Sequence, residues 1–262
     1  MNRLEQICEL NEMLLKEMPQ MEREAKYFPK DTIHQRRLLR SLMNVRMPRQ
    51  LDEEYIRLQD ALLSEEREEK GVVLGSQLPG TKTDLRIAIW KGDITRLKVD
   101  AIVNAANSQL LGCFVPCHGC IDNAIHSAAG LQLREECNQL MQMQGHEETT
   151  GRAKITGGYN LPAKYVIHTV GPIVYGDLTE QNKKELASCY RSCLEIAEEN
   201  KLHSIAFCCI STGVFHFPAD EAAKIAVDTV KTYLKKNTSL EKVIFNVFKE
   251  DDKIFYEHLL NV

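Results

Sequence analysis

The chain has 262 residues, enough for one large domain or for a domain with an extension. With 44% hydrophobic and 27% charged residues its composition is that of a globular protein, and a formal net charge of −4 leaves no overall basic field to draw in nucleic acid. No apolar run approaches the roughly 20 residues that span a bilayer, and the start, Met-Asn-Arg-Leu-Glu-Gln, lacks an apolar signal core, so no membrane contact and a cytoplasmic location are expected.

Residues 1–70 are rich in Leu, Met, Glu, Arg and Lys. Leu4, Ile7, Leu10, Leu14 and Met18 recur three to four apart, a helical stripe. A second helix is predicted over Asp52–Lys70, with Tyr55, Leu58, Leu62 and Leu63 on one face and a stop at Gly71. Between the two, Met47-Pro48-Arg49 interrupts any helix. This segment carries no chemical signature. It reads as a helical extension, residues 1–75, packed on a main domain, residues 76–262. The boundary falls in the turn-rich stretch Gly75–Thr83.

Strand and helix patterns then alternate. Strands are predicted at Leu85–Trp90 and Ala101–Asn104, followed by one long amphipathic helix over Cys120–Met143. Next come a strand at Tyr165–Val170, a helix at Glu180–Asn200, a strand at Ser204–Ile210 and a helix at Pro218–Lys235. A strand at Lys242–Val247 and a helix at Asp251–Leu259 close the chain. Such alternation predicts an α/β domain with helices on both faces of a mostly parallel sheet. Ligands of these folds bind beyond the carboxyl ends of the strands.

Nine cysteines without a secretion signal read as thiols or metal ligands rather than disulfides. Cys208 and Cys209 sit in an apolar run, and Cys8, Cys137, Cys189 and Cys193 lie in helical patterns with no His nearby. All six read as small buried side chains. Cys113, Cys117 and Cys120 differ. They stand with His118 in Leu-Gly-Cys-Phe-Val-Pro-Cys-His-Gly-Cys (111–120), directly after the turn Val-Asn-Ala-Ala-Asn (103–107). Clustering this dense signals a metal, the competing reading being redox-active or incidental thiols. Soft ligands beside a ligand-binding turn suggest a metal that acts on the ligand.

Three strand ends lead into loops with special residues. Asn104-Ala-Ala-Asn107 offers amides for sugar hydroxyls or for a capped turn. Ile167-His-Thr-Val-Gly171-Pro172 runs a strand into a Gly-Pro turn. Ile210-Ser-Thr-Gly213-Val-Phe215, followed by Pro218 and a helix, aims backbone N–H groups outward, an anion site suited to pyrophosphate. Each loop alone is ambiguous. Placed together at one sheet edge, they are much more specific.

Five ordered stretches now carry a resemblance. Gly92-Asp-Ile-Thr95, Ala101–Ser108, Ile121-Asp-Asn-Ala-Ile-His-Ser-Ala-Ala-Gly130, Gly151–Pro172 and Ser211-Thr-Gly-Val-Phe215 together resemble a macrodomain of the MacroD type, over residues 85 to about 250. The resemblance implies a three-layer αβα sandwich that binds ADP-ribose and often hydrolyses it from proteins. It implies that Asp93 accepts from the adenine amino group with Ile94 beside it, and that Asn107 contacts the distal ribose hydroxyls. Gly171 and the Ser211, Thr212, Gly213 and Val214 backbone would line the phosphates, and Phe215 would pack on the distal ribose. Asp122 falls where such enzymes keep an acidic residue near the scissile bond. A carboxylate complementing the helix dipole is the competing reading there. His126, one turn later on the same face, reads as a packed, hydrogen-bonded histidine, and His168 as structural.

The departure is in the loop. MacroD-type enzymes place a run of glycines between the Asn turn and the helix, and this chain has Cys113-Phe-Val-Pro-Cys-His-Gly-Cys120 instead. The substitution resembles the zinc-dependent macrodomain branch found in some bacteria. It implies a zinc ion that holds the distal ribose and takes part in cleavage. A catalytic zinc keeps three protein ligands and one open position. Cys113, His118 and Cys120 fit that count, and the resemblance points the same way. Cys117 as a fourth ligand would close the site. Pro116 constrains the backbone just before it, and the adjacent Cys117 and His118 side chains cannot easily converge on one ion.

The expected function is a zinc-dependent hydrolase that removes mono-ADP-ribose from modified proteins, with Asn107, Asp122, Cys113, His118 and Cys120 in the catalytic set and the chain acting as a monomer. The alternative is a module that reads ADP-ribose without cutting it. The bacterial branch also implies a partner, a lipoylated carrier resembling the glycine-cleavage H protein, modified by a sirtuin-like transferase.

Overall fold

A computed structural model describes residues 2–236 and 238–262. The extension begins with α1 (Arg3–Glu17), started by a capping box in which the Asn2 side chain accepts from Glu5 N–H and the Glu5 carboxylate accepts from Asn2 N–H. After the single turn α2 (Glu22–Ala25) comes α3 (Thr32–Val45), which sequence periodicity did not predict. Its buried apolar positions, Leu38, Leu39, Leu42 and Met43, fill only its second half, and Ile33 in the first is exposed. The polar first half is set by Asp31, which accepts from His34 N–H. α4 (Glu53–Lys70) is capped by Asp52 and stopped by Gly71 at φ 78°, as its sequence implies. These helices bury a core of their own, with Ile7, Leu10, Leu14, Leu39, Leu42 and Leu62 at its centre and Leu131 of the main domain at its edge.

The chain crosses into the main domain through a short parallel pairing of β1 (Val73–Leu74) with β3 (Leu97–Lys98). The main sheet contains β2 (Ile87–Lys91), β4 (Ala101–Ala106), β5 (Ala153–Gly157), β6 (Tyr165–Val170), β7 (Ser204–Phe207) and β8 (Lys242–Val247). Their order is β2-β8-β7-β4-β6-β5. All neighbours are parallel except β5, which runs antiparallel to β6 at the edge. β5 is an addition to the predicted set, since a half-buried edge strand carries a weak alternating pattern. The predicted strand at Ser204–Ile210 ends at Phe207, and Cys208–Ile210 already belong to the loop.

The single helix expected over Cys120–Met143 is two. Gly130, at φ 98°, separates α5 (Ile121–Ala129) from α6 (Leu131–Gln144). The extension packs against the break. Gln59 of α4 accepts from Leu131 N–H at 2.9 Å, and a Cβ on Gly130 would stand 2.6 Å from the Gln59 amide. α7 (Glu180–Glu199), α8 (Ala219–Leu234) and α9 (Glu250–Leu260) complete the helical layers.

Arg134 of α6 joins the two parts. It is 3% exposed, and its guanidinium donates to the carbonyls of Met43, Asn44 and Arg46 at 2.7–2.9 Å and of Leu111 at 2.7 Å. The last carbonyls of a helix have no partner within it, so this cation closes the end of α3. Burial pulls its pKa down to about 10.

The extension core predicts a measurable cost. Leu39 is fully buried, so Leu39→Ala is expected to lower unfolding free energy by about 2–5 kcal/mol, read from urea denaturation of the full chain.

Candidate functional site

The carboxyl ends of β2, β4, β6 and β7 deliver four loops to one edge of the sheet, where open α/β sheets place ligands. After β4, Asn107 folds its turn on itself. Its Oδ1 accepts from Gln109 N–H at 3.0 Å and its Nδ2 donates to the Gly112 carbonyl at 3.2 Å. One amide hydrogen and one acceptor lone pair are left over. The Gly112 φ of 81° turns the chain sharply, and a Cβ there would meet the His126 ring at 2.8 Å.

The turn feeds the cysteine loop. Cys113 Sγ lies 3.7 Å from His118 Nδ1, and the ligand atoms of Cys113, His118 and Cys120 all fall within 4.8 Å of one another. With Zn–S near 2.3 Å and Zn–N near 2.05 Å, the S···N edge of a zinc tetrahedron is about 3.6 Å. The donor set and its spacing therefore fit zinc with one position open. Cys117 stands apart: its φ is 52° and its thiol donates to the Arg37 carbonyl at 3.6 Å. Cys120 also caps α5, accepting from Asn123 N–H at 3.4 Å. Burial and the neighbouring Cys113 push its pKa up to about 11, so a bound cation is what would favour the thiolate.

Asp122, in the first turn of α5, is buried. It accepts from Asn104 Nδ2 at 2.8 Å and lies 3.5 Å from His126 Nε2. Burial raises its pKa to about 6. Asn104 also donates to His168 Nδ1 at 3.2 Å, whose Nε2 pairs with Thr156 Oγ1 at 2.9 Å. Burial pulls His168 down to about 3, so it is neutral. Two sequence expectations fail here. His126 is packed, but neither ring nitrogen has a hydrogen-bond partner among the described residues. Cys137, read as remote from histidine, shares a fully buried cluster with His126 and His168. α6 folds back over β5 and α5, and that brings together residues far apart in sequence.

The loops after β6 and β7 touch each other. A Cβ on Gly171 would sit 2.0 Å from Ser211 Oγ, so only glycine fits. Ser211, at φ 64°, has a buried hydroxyl with no partner among the described residues. Phe217 N–H bonds the Ser211 carbonyl and His216 N–H bonds the Gly213 carbonyl, which closes the loop. The N–H groups of Thr212, Gly213, Val214 and Phe215 donate to no acceptor among the described residues. These four donors follow the orphaned Ser211 hydroxyl directly in sequence. Phe215 is half-buried, and its carbonyl accepts from Val174 N–H at 2.9 Å, tying the two loops.

After β2, Asp93 Oδ1 accepts from Thr95 N–H and Oγ1–H at 3.0 and 2.7 Å, while its Oδ2 has no donor among the described residues. The Ile94 side chain is core, 1% exposed, so only its backbone can meet a ligand. Asp93 opens onto a cavity of about 120 Å³ that Arg36, Arg40 and Arg67 of the extension also line. Sequence reading assigned no role to these extension residues, because neither α3 nor α4 bears a motif. It also passed over Phe248, 76% exposed immediately after β8.

Residues 103–226 match the family profile described as Macro domain. The protein-ADP-ribose hydrolase of Treponema medium is 53% identical over 254 residues, covering 96% of this chain and 97% of that protein. The chain belongs to the macrodomain family. The protein-ADP-ribose hydrolase of Staphylococcus aureus (strain MSSA476) is 51% identical over 225 residues, 86% of this chain and 84% of its own length. Among solved structures, the Trypanosoma brucei macrodomain in complex with ADP-ribose superposes with a TM-score of 0.66 at 33% identity, covering 84% of this chain and 94% of that one. The three-layer α/β fold with its mixed, mostly parallel sheet is thus a macrodomain preceded by four helices.

The contact between the loops after β6 and β7 predicts that Gly171→Ala, which drives a methyl into Ser211, costs about 1–3 kcal/mol in thermal or denaturant unfolding.

Proposed function

We propose that this chain is a zinc-dependent protein ADP-ribosyl hydrolase that releases mono-ADP-ribose from modified proteins. The observation that carries the metal is the convergence of Cys113, His118 and Cys120 within 4.8 Å beside the Asn107 turn. The names of its relatives support the hydrolase reading. The Trypanosoma brucei macrodomain, solved in complex with ADP-ribose, supports that nucleotide as the ligand.

The chain's own groups have separable tasks. The four undonated N–H groups of Thr212–Phe215 and the Ser211 hydroxyl hold the pyrophosphate without any cationic side chain. The remaining oxygen of Asp93 accepts the adenine amino group, with the Ile94 backbone beside it. Phe248 follows Val247, which pairs with Lys91 just before Gly92-Asp93, so its exposed ring stands ready for the base. Gly171 lets the two phosphate loops close on the ligand. Phe215 packs on the distal ribose, and the spare donor and acceptor of Asn107 meet its hydroxyls. Zinc held by Cys113, His118 and Cys120 would lower the pKa of a ribose hydroxyl or a water. Asp122, fixed by Asn104 at the start of α5, completes the catalytic set.

The physiological substrate is proposed, on resemblance, to be a lipoylated carrier akin to the glycine-cleavage H protein, modified by a sirtuin-like transferase. The chain is proposed to act as a cytoplasmic monomer without nucleic acid. No helix among the described residues is long and apolar enough to cross a membrane.

Two outcomes are expected. Chelator-stripped protein and Cys120→Ala should lose turnover of a mono-ADP-ribosylated protein, and zinc should restore it only to the former. Undiminished turnover in either sample rejects a catalytic metal, and a wild type that binds ADP-ribose without cutting favours a reader module. Ser211→Ala removes a hydroxyl that has no protein partner, so stability should hold or rise. ADP-ribose affinity should drop by about 0.5–1.5 kcal/mol, measured by calorimetric titration.

A further inference from the structure

The cysteine loop has little internal structure. Its only backbone hydrogen bond among the described residues runs from His118 N–H to the Val115 carbonyl at 3.2 Å. Cys117 occupies the left-handed region at φ 52°, which a non-glycine residue keeps only where its surroundings hold it. What holds it comes from the extension. Asn44 of α3 is 1% exposed, and its Oδ1 accepts from Cys117 N–H at 2.8 Å while its Nδ2 donates to Ser127 Oγ at 3.1 Å. The Cys117 thiol bonds the Arg37 carbonyl of the same helix. The thiol is thereby committed to α3, while its neighbour His118 joins the Cys113 and Cys120 donors.

A second contact acts on both flanks of the donor set. Arg40 donates to the His118 carbonyl at 3.4 Å and to Asn123 Oδ1 at 2.8 Å. Asn123 in turn donates through Nδ2 to the Val115 carbonyl at 3.0 Å and through its backbone N–H to Cys120 Sγ. One guanidinium therefore holds the backbone of one ligand residue, His118, and the side-chain amide that holds the loop at Val115.

We infer that Arg40 and Asn44 of α3 are positioning residues for the metal site, so that the helical extension sets the loop geometry on which zinc affinity and three-ligand coordination depend. The inference rests on the metal reading above. Neither residue reaches the ion; each acts through the loop backbone. Asn44 keeps Cys117 out of the coordination sphere, which preserves the open position. Residues that orient metal ligands in this way are typically worth about 10–100-fold in metal affinity.

The test uses the full chain, stripped of metal and titrated with zinc against a chromogenic chelator. Wild type is expected to bind one zinc. Asn44→Ala and Arg40→Gln are expected to weaken binding about 10–100-fold. Asn44→Asp keeps an acceptor oxygen for Cys117 N–H and is expected to recover most of the loss. Arg3→Ala breaks two ion pairs, to Glu65 and Glu69 of α4, touches no residue of the loop, and should leave zinc affinity unchanged. Thermal melts of the metal-free proteins report folding, and half-buried Arg40 gives a variant that keeps the α3 core intact. Zinc constants indistinguishable from wild type in both variants overturn the inference. So does a loss that Asn44→Asp shares in full, because the acceptor held for Cys117 N–H is then not what zinc affinity depends on. A wild type that takes up no zinc overturns the metal reading itself, and the inference with it.

Discussion

A single buried cation ties this molecule together. Arg134 leaves α6 and spends its donors on backbone carbonyls: three at the end of α3 and one, that of Leu111, at the mouth of the cysteine loop. Its guanidinium also lies 4.5 Å from the centre of the Phe114 ring, inside that loop. Such a cation has five donors and no freedom to deprotonate at neutral pH, so every surface it touches must supply acceptors. The extension, the loop and α6 are thus fixed relative to one another by polar geometry as well as by apolar area. A buried charge left without partners costs several kcal/mol, which makes this junction a place where the fold tolerates little change.

From that junction the site follows in order. Arg134 sets the start of the loop, Asn123 its middle and Cys120 its end, where the thiol doubles as the cap of α5. The same helix carries Asp122 inward to a neutral chain of Asn104, His168 and Thr156. This polar chain lies beneath the cleft, inside the domain. The face of the cleft is made by backbone: glycine at 171, a left-handed turn at Ser211 and a run of undonated N–H groups. On the proposed reading these backbone donors, and not an overall field, hold the anionic ligand of a chain whose net charge is −4.

Much of this was legible beforehand, and the reasons differ by residue. The parallel strands announced themselves as apolar runs because both faces of the sheet are covered. α4 was bounded by Asp52 and Gly71, whose capping chemistry is local. Gly171 and Ser211-Thr-Gly213 were recognisable because tight turns demand particular residues. α3 was not legible, since its apolar stripe is short and its first half is polar. The break at Gly130 was not legible either: one glycine in an amphipathic run is tolerated, and the Gln59 amide that accepts from Leu131 N–H beside the break comes from a helix distant in sequence. The buried cluster of His126, Cys137 and His168 joins a helix, a second helix and a strand that no local pattern connects.

What the sequence determined by itself was the set of local commitments: caps, turns, strand runs and the spacing of Cys113, His118 and Cys120. These depend on interactions within a few residues, so a linear reading captures them. What only the tertiary structure decided was which groups face one another. It put Asn44 and Arg40 against the loop, turned the Cys117 thiol toward Arg37, and left Ser211 Oγ and four N–H groups without protein partners among the described residues. Those outcomes arise because helices far apart in sequence must bury their stripes against each other. The polar groups carried along with them then have to find acceptors wherever packing has placed them.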